Sequence, residues 1–244
     1  MKIVLSPSKT KTILSATCND SEVRDGQFQS HITQKIVKHI QSLDVAALGK
    51  SLKLKGDKAQ SVFDFYKAFE SHPVGFACES YDGIAFKYLD WVGLSDEAKA
   101  FGETHLAIMS ALYGVVEPTM GVRDYRLDMV DKVGINLYET WREAVDAYFH
   151  KEDWILNLAS KEYAKMVNHP KVVTVEFWEL RGDTYKQMST SSKMSRGMMA
   201  HACLMNQVKH VRDLPRKING FICGTDIESI TIPSESMTIR YERK

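Results

Sequence analysis

Three short apolar runs, each cut off by small or polar residues, limit what this chain can fold into more than any other feature. KIVL (residues 2–5) stops at Ser6-Pro7-Ser8-Lys9-Thr10. LAIM (106–109) stops at Ser110 and Tyr113-Gly114, and WIL (154–156) stops at Asn157 and Ser160. Runs so short and so apolar read as buried strands. In sheets of this kind, ligands gather at the carboxyl ends of strands, where loops and helix N-termini converge. If the three strands are neighbours, their polar ends form one crevice. The alternative is three unrelated strand exits with ordinary turn residues.

Between these strands the spacing turns helical. HITQKIVKHIQSLDVAALG carries Ile32, Ile36, Ile40 and Leu43 on one side, with Gly49 as a natural stop. GDKAQSVFDFYKAFE groups Val62, Phe65, Tyr66 and Phe69. NLYETWREAVDAYF is the clearest helix, with Asn136 as its cap and Glu139 placed as in a capping box. Ser160 reads as the cap of KEYAKMV. KVVTVEFWEL and TYKQMST flank a hairpin turn at Arg181-Gly182-Asp183. KMSRGMMAHACLMNQVKHV reads as a helix whose Gly197 serves close approach to the backbone, because glycine there costs about 1 kcal/mol relative to alanine. The tail reads as short strands and turns. Helices and strands mix without a regular βαβ rhythm. The expectation is one α+β domain, residues 1–244, with helices around a mixed sheet and residues 31–70 as a candidate helical insertion.

Composition narrows the function. Hydrophobic residues make up 44% and charged residues 26%, which suits a folded globular chain. The net charge of +1 rules out a global polycation, so any nucleic-acid binding must use a local patch. Cys18, Cys78, Cys203 and Cys223 form no C-x-x-C pair, which argues against a zinc site and a disulfide framework. Cys203 and Cys223 lie in apolar runs and read as buried, inert thiols. The first apolar run is too short for a signal peptide, and none approaches the roughly 20 residues of a membrane helix. A cytoplasmic protein without a membrane partner is expected.

The SPSKT segment lacks the glycines of a Walker P-loop, and Pro7 removes a backbone donor. It leaves Lys9 as a point charge among the hydroxyls of Ser6, Ser8 and Thr10. GVRDYRLDM sets Arg123 and Arg126 around Tyr125, and arginine suits phosphate, carboxylate and base stacking. A solvated charge cluster is the commoner meaning of such a run. SSKMSRGMM puts Lys193 and Arg196 where the helix is expected to begin, against its dipole, which an expected anion would relieve. From there to Lys217 the chain is its most basic, with Lys209, Arg212, Arg216 and Lys217 against Asp213. Lys50, Lys53, Lys55 and Lys58 form a second basic stretch in KSLKLKGDKAQSVF. Helix, Gly-bearing turn and helix resemble a helix-hairpin-helix, which holds DNA phosphate without reading bases. A plain helical hairpin is the competing reading. Metal chemistry has little support: there is no H-E-x-x-H, and His201 and His210 lie too far apart on one helix to share an ion. No metal or other cofactor is expected, and no G-x-S-x-G elbow is present.

Six motifs in order, LSPSKT, HLAIMSALYGVVEP, YRLDM, LYETW, ILNLASKEY and SRGMMA, resemble the successive signatures of the YaaA family of peroxide-stress proteins. The likeness spans essentially the whole chain. Ser8 stands for the family's alanine, Glu117 for its usual arginine, and Asp128 for its glutamate. The resemblance implies a bacterial cytoplasmic protein tied to hydrogen peroxide resistance, lower free iron and less oxidative damage. It also implies an α+β fold with a basic cleft, a helix-hairpin-helix-like element and DNA binding. Carried over by motif, the cleft residues are Ser6, Lys9, Arg126, Asn157, Ser160, Tyr163, Lys193 and Arg196. No established catalytic activity comes with it.

The resulting expectation is a DNA-binding, peroxide-stress protective protein. Ser6, Lys9, Arg123, Arg126, Asn157, Ser160, Tyr163, Lys193 and Arg196 are its phosphate-binding candidates, and Lys50, Lys53, Lys55 and Lys58 its DNA-contacting ones. The partner is duplex DNA, held with little sequence preference. The alternative is an enzyme acting on a nucleotide or nucleoside in the same cleft. Iron sequestration by surface carboxylates is a third reading that ligand spacing does not help.

Overall fold

The first strand, β1 (Lys2–Leu5), runs through the middle of the molecule and is buried along its whole length. The computed structural model describes residues 1–13 and 30–244, so Cys18 lies outside the described residues. Three helices follow: α1 (Ser30–Gln41), α2 (Val45–Leu52) and α3 (Asp57–Lys67). After β2 (Gly75–Phe76) come α4 (Ala77–Ser80), α5 (Ile84–Leu89) and α6 (Asp96–His105). The chain re-enters the sheet as β3 (Leu106–Ser110) and β4 (Gly114–Val116), then forms β5 (Gly121–Val122) and α7 (Leu137–Phe149). It continues through β6 (Ile155–Asn157), α8 (Lys161–Ala164), β7 (Val172–Arg181), β8 (Thr184–Lys186) and α9 (Ser189–Met205). The last strands are β9 (Lys217–Ile218), β10 (Phe221–Cys223) and β11 (Met237–Arg243).

Among the described residues the strands form a mixed sheet in the order β4-β3-β1-β6-β7-β11-β10-β9. β8 pairs with β7, and β2 with β5 apart from the main sheet. Its central part, β3-β1-β6-β7-β11, is parallel. β4, β10 and β9 join antiparallel at its margins, and β8 pairs antiparallel with the last residues of β7. The result is a single α+β domain with a mixed sheet, as expected. β1, β3 and β6 are buried at every position, as parallel strands covered on both faces must be. β7 instead alternates buried with half-buried residues from Val172 to Glu179, the period of a strand with one covered face. The three apolar runs are thus direct neighbours, with β1 between the other two. From β1 the chain returns on one side as β3, then crosses to the other side as β6. The winding reverses at β1, and the polar strand ends converge there.

The clearest sequence signals hold. Asn136 Oδ1 accepts the Glu139 backbone N–H at 3.4 Å and starts α7, while the Glu139 carboxylate turns to Arg142. Gly182 takes a positive φ of 61° in the turn between β7 and β8. Gly197 is buried in α9, and a Cβ there would overlap the Ala85 carbonyl oxygen of α5. Several boundaries differ. Gly49 is no stop. The break comes earlier, where the Asp44 side chain accepts the Ala47 N–H at 2.7 Å and begins α2. Gly49 lies inside α2 because a Cβ there would stand 3.0 Å from the Ala59 Cβ of α3. α9 begins at Ser189, so Lys193 and Arg196 lie beyond its first turn and the dipole argument does not apply to them. It also ends at Met205, which breaks up the long basic tract. Arg216 pairs with Glu228 at 2.9 Å and Arg212 lies near Asp213. Cys203 is buried, and burial pushes its thiol up to about 12. Cys223 is only half-buried, because it lies on β10 near the sheet margin.

Candidate functional site

The ends of β1 and β6 are stitched together by hydroxyls. The Ser6 Oγ accepts the Ser160 backbone N–H at 2.8 Å and donates to the Ser160 Oγ at 3.2 Å. Ser160 occupies the cap position of α8, but its side chain makes no capping bond. Its hydroxyl is held by Ser6 instead. A cleft of about 520 Å³ opens over this junction. Its walls are residues 5–10, residues 82–87, Asp128, the start of α8, and Lys193 with Arg196 of α9. Two glycines let the walls come together. Gly197 admits α5 to α9, and Gly83 admits the Ser8 side chain to the start of α5.

The cleft holds charge of both signs. Lys9 Nζ lies 2.5 Å from Asp128 Oδ2, and the Tyr163 hydroxyl donates to Asp128 Oδ1 at 3.3 Å. Lys9 keeps 61% of its side chain exposed while Asp128 keeps 12%, so the lysine spans from solvent to a nearly buried carboxylate. Burial, reinforced by nearby tyrosine and carboxylate charge, raises the Tyr163 phenol. Burial also raises the Glu162 carboxyl, with Asp128 adding to the shift. Lys193 is exposed and has no partner among the described residues. Arg196 differs in kind. Burial lowers its guanidinium, the charge of Glu176 only partly opposes this, and its buried Nε has no hydrogen-bond partner among the described residues. A desolvated, underpaired cation is costly to hold, and here it borders an open cleft.

A second cleft, of about 490 Å³, shares Lys9 with the first. It lies between α3 and the Arg126 segment, and Leu54, Val62, Phe65 and Tyr125 give it an apolar wall. Arg126 and Lys58 border it, and the buried Nε of Arg126 also lacks a partner among the described residues.

Other sequence candidates are placed differently. The Arg123 Nε donates to the His72 carbonyl at 3.1 Å, and its Nη2 donates to the Glu70 carbonyl at 3.3 Å. Its guanidinium therefore holds a loop and lines neither cleft. Asn157, 4% exposed, accepts from the Ala159 N–H at 3.0 Å and donates to Thr174 Oγ1 at 3.2 Å. One end of its amide braces the turn beneath the cleft and the other ties it to β7. Lys50, Lys53, Lys55 and Lys58 are all exposed around the α2–α3 connection, and only Lys58 also borders a cleft. That connection forms a helical hairpin, with Lys53 at φ 56° and Gly56 at φ 55°.

Sequence reasoning passed over Lys11. Its side chain is 1% exposed. The Nζ donates to the Tyr125 carbonyl at 2.8 Å and stands 3.9 Å from the centre of the Tyr125 ring. Burial pulls its ammonium down to about 8, against the raising effect of Asp124. The Tyr125 hydroxyl in turn meets Ser110 Oγ at 2.8 Å and the Tyr81 hydroxyl at 3.2 Å. No local signal separates Lys11 from Lys9, because residues two apart in an extended segment share a face. Asp128, the partner of Lys9, stood in a motif but carried no signal of its role.

Among the described residues no group of three or more His, Cys, Asp or Glu side chains is arranged to hold a metal ion. No described helix is long and apolar enough to cross a membrane.

The family model described as peroxide stress protein YaaA matches residues 1–221. A UPF0246 protein of Finegoldia magna is 33% identical over 223 residues, covering 88% of this chain and 89% of that protein. A UPF0246 protein of Agathobacter rectalis is 30% identical over 241 residues, covering 94% and 96%. One of Fusobacterium nucleatum is 27% identical over 236 residues, covering 93% and 95%.

Proposed function

From the premise that this chain belongs to the peroxide stress protein YaaA family, we propose that it is a cytoplasmic protein that protects nucleic acid during peroxide stress. It holds phosphate in the cleft where the sheet reverses, and holds the DNA backbone along the α2–α3 hairpin. The observation that carries this reading is Arg196, a desolvated guanidinium with an unpartnered Nε at a cleft that also holds unpaired Lys193. An incoming phosphate supplies the missing acceptor and charge. Ser6, Ser160 and Lys9 face the same space. The exposed Lys50, Lys53, Lys55 and Lys58 extend the contact as a helix-hairpin-helix would, through phosphates and without base readout. Binding is therefore salt-sensitive and weakly sequence-specific.

The test is fluorescence anisotropy of a labelled duplex across a salt series. Wild type should bind, and Lys193→Ala/Arg196→Ala should flatten the log–log salt slope by about two, one for each lost phosphate contact. Replacing all four hairpin lysines should flatten it further. A wild type with no salt-dependent binding near physiological ionic strength removes DNA as the partner.

A second reading has its own observation. The Lys9–Asp128–Tyr163 chain places a lysine, a nearly buried carboxylate and a phenol in one concave site. Such a set suits an enzyme acting on a nucleotide or nucleoside. In that case Lys9→Ala abolishes turnover of a small phosphate compound and leaves duplex affinity intact. The link to lower free iron makes a separate prediction: iron(II) should raise the melting temperature if the protein binds it, and no rise removes that role.

A further inference from the structure

We propose that the two clefts form one composite site for a nucleoside monophosphate, with its phosphate in the cleft at the sheet reversal and its base in the second cleft. This rests on the reading that the first cleft takes phosphate. Lys9 belongs to both clefts, so they are adjacent compartments that meet at its side chain. Each falls within the usual range for a small-molecule pocket, at about 520 and 490 Å³.

Their linings differ in the way the two ends of a nucleotide differ. The first offers hydroxyls from Ser6 and Ser160 with two cations, Lys193 and Arg196, that lack an ion pair among the described residues. The second is walled by Leu54, Val62, Phe65 and Tyr125, it carries none of the hydroxyls at the strand ends, and Lys58 and Arg126 share it with Asp57 and Asp124. A largely apolar slot with two carboxylates in its wall is a poorer place for a phosphate than the first cleft and a good one for a planar ring. Arg126 adds the feature that favours a base over an aliphatic chain. Its buried Nε has no partner, and a guanidinium both stacks on a ring and donates to a ring acceptor. Lys9, at the junction, lies where the sugar and its phosphate ester would pass.

The experiment is calorimetric titration with adenosine and cytidine 5′-monophosphates, ribose 5-phosphate and inorganic phosphate. Proteins are wild type, Arg196→Gln, Ser61→Trp and Val62→Trp. Ser61 is exposed on α3 at the edge of the second cleft, so its replacement fills that cleft with little risk to the core. At least one nucleotide should bind tenfold or more tightly than ribose 5-phosphate. Ser61→Trp and Val62→Trp should erase that advantage and leave ribose 5-phosphate affinity within twofold. Arg196→Gln should weaken all phosphate ligands together. If ribose 5-phosphate binds as well as both nucleotides, or if filling the second cleft spares the nucleotide advantage, the composite site is wrong while the phosphate cleft stands. If no phosphate ligand binds wild type, the phosphate cleft fails and the composite site fails with it.

Discussion

Lys9 and Lys11 leave the same loop two residues apart and meet opposite fates. Lys9 reaches across an open cleft to Asp128 and keeps 61% of its side chain in solvent. Lys11 is sealed beneath Tyr125, with a carbonyl and an aromatic face for its ammonium. Around Lys11 the polar groups answer one another, through Ser110, Tyr81 and Tyr125. Around Lys9 they do not: among the described residues Lys193 is unpaired and the Arg196 Nε has no acceptor. A cation whose partners come from its own protein belongs to the packing of the fold. A cation left short of partners beside an empty volume is available to something else.

The contrast can be broken or sharpened. The largest effect is expected from Gly197→Val, which drives a side chain into the Ala85 carbonyl and pushes α5 from α9. It should cost about 3 kcal/mol, seen as a lower urea midpoint, and should dismantle the cleft wall. A midpoint equal to wild type would show that the walls are not held by this contact.

Next comes the pH dependence of Lys11. The folded ammonium titrates near 8, below its ordinary 10.5, so above pH 8 the unfolded chain retains a proton that the folded one has released. Stability from this group must therefore rise with pH from about 8 upward. Above about 10 the buried tyrosines reverse the trend, because burial raises their phenols and only the unfolded chain ionises. Between pH 8 and 10 wild type should gain about 2 kcal/mol over Lys11→Met. Parallel stability curves for the two proteins would contradict a buried, titrating Lys11.

Ser160→Ala removes the hydroxyl pair with Ser6 but keeps the backbone bond, and should cost about 1 kcal/mol by thermal or urea unfolding. The smallest effect belongs to Lys9→Ala. Its ion pair is largely exposed on the lysine side, so stability should change by less than about 1 kcal/mol. A loss as large as that of a core substitution would place Lys9 with Lys11, as a structural cation.

Local signals in the sequence are legible where local physics decides. The apolar runs became buried strands, Asn136 capped α7, and the Arg181-Gly182-Asp183 turn joined β7 to β8. Gly197 was legible as a close-approach residue, although not that Ala85 was its neighbour. Gly49 misled because a helix stop and a helix crossing both select for a missing Cβ. Arg123 and Arg126 looked alike in sequence. Only the loop carrying His72 and Glu70 separates them, by satisfying one guanidinium and not the other.

The sequence by itself determined which segments must be buried strands, where several helices begin, and that the basic residues are local rather than global. Strand period, capping chemistry and charge counts are properties of neighbouring residues, so one chain suffices to read them. The tertiary structure alone decided that β1 lies between β3 and β6, that Ser6 meets Ser160, and that Lys9 faces Asp128 while Lys11 does not. Those pairings join residues more than a hundred positions apart. Whether a cation is satisfied depends on which distant carbonyl or carboxylate the packing brings to it.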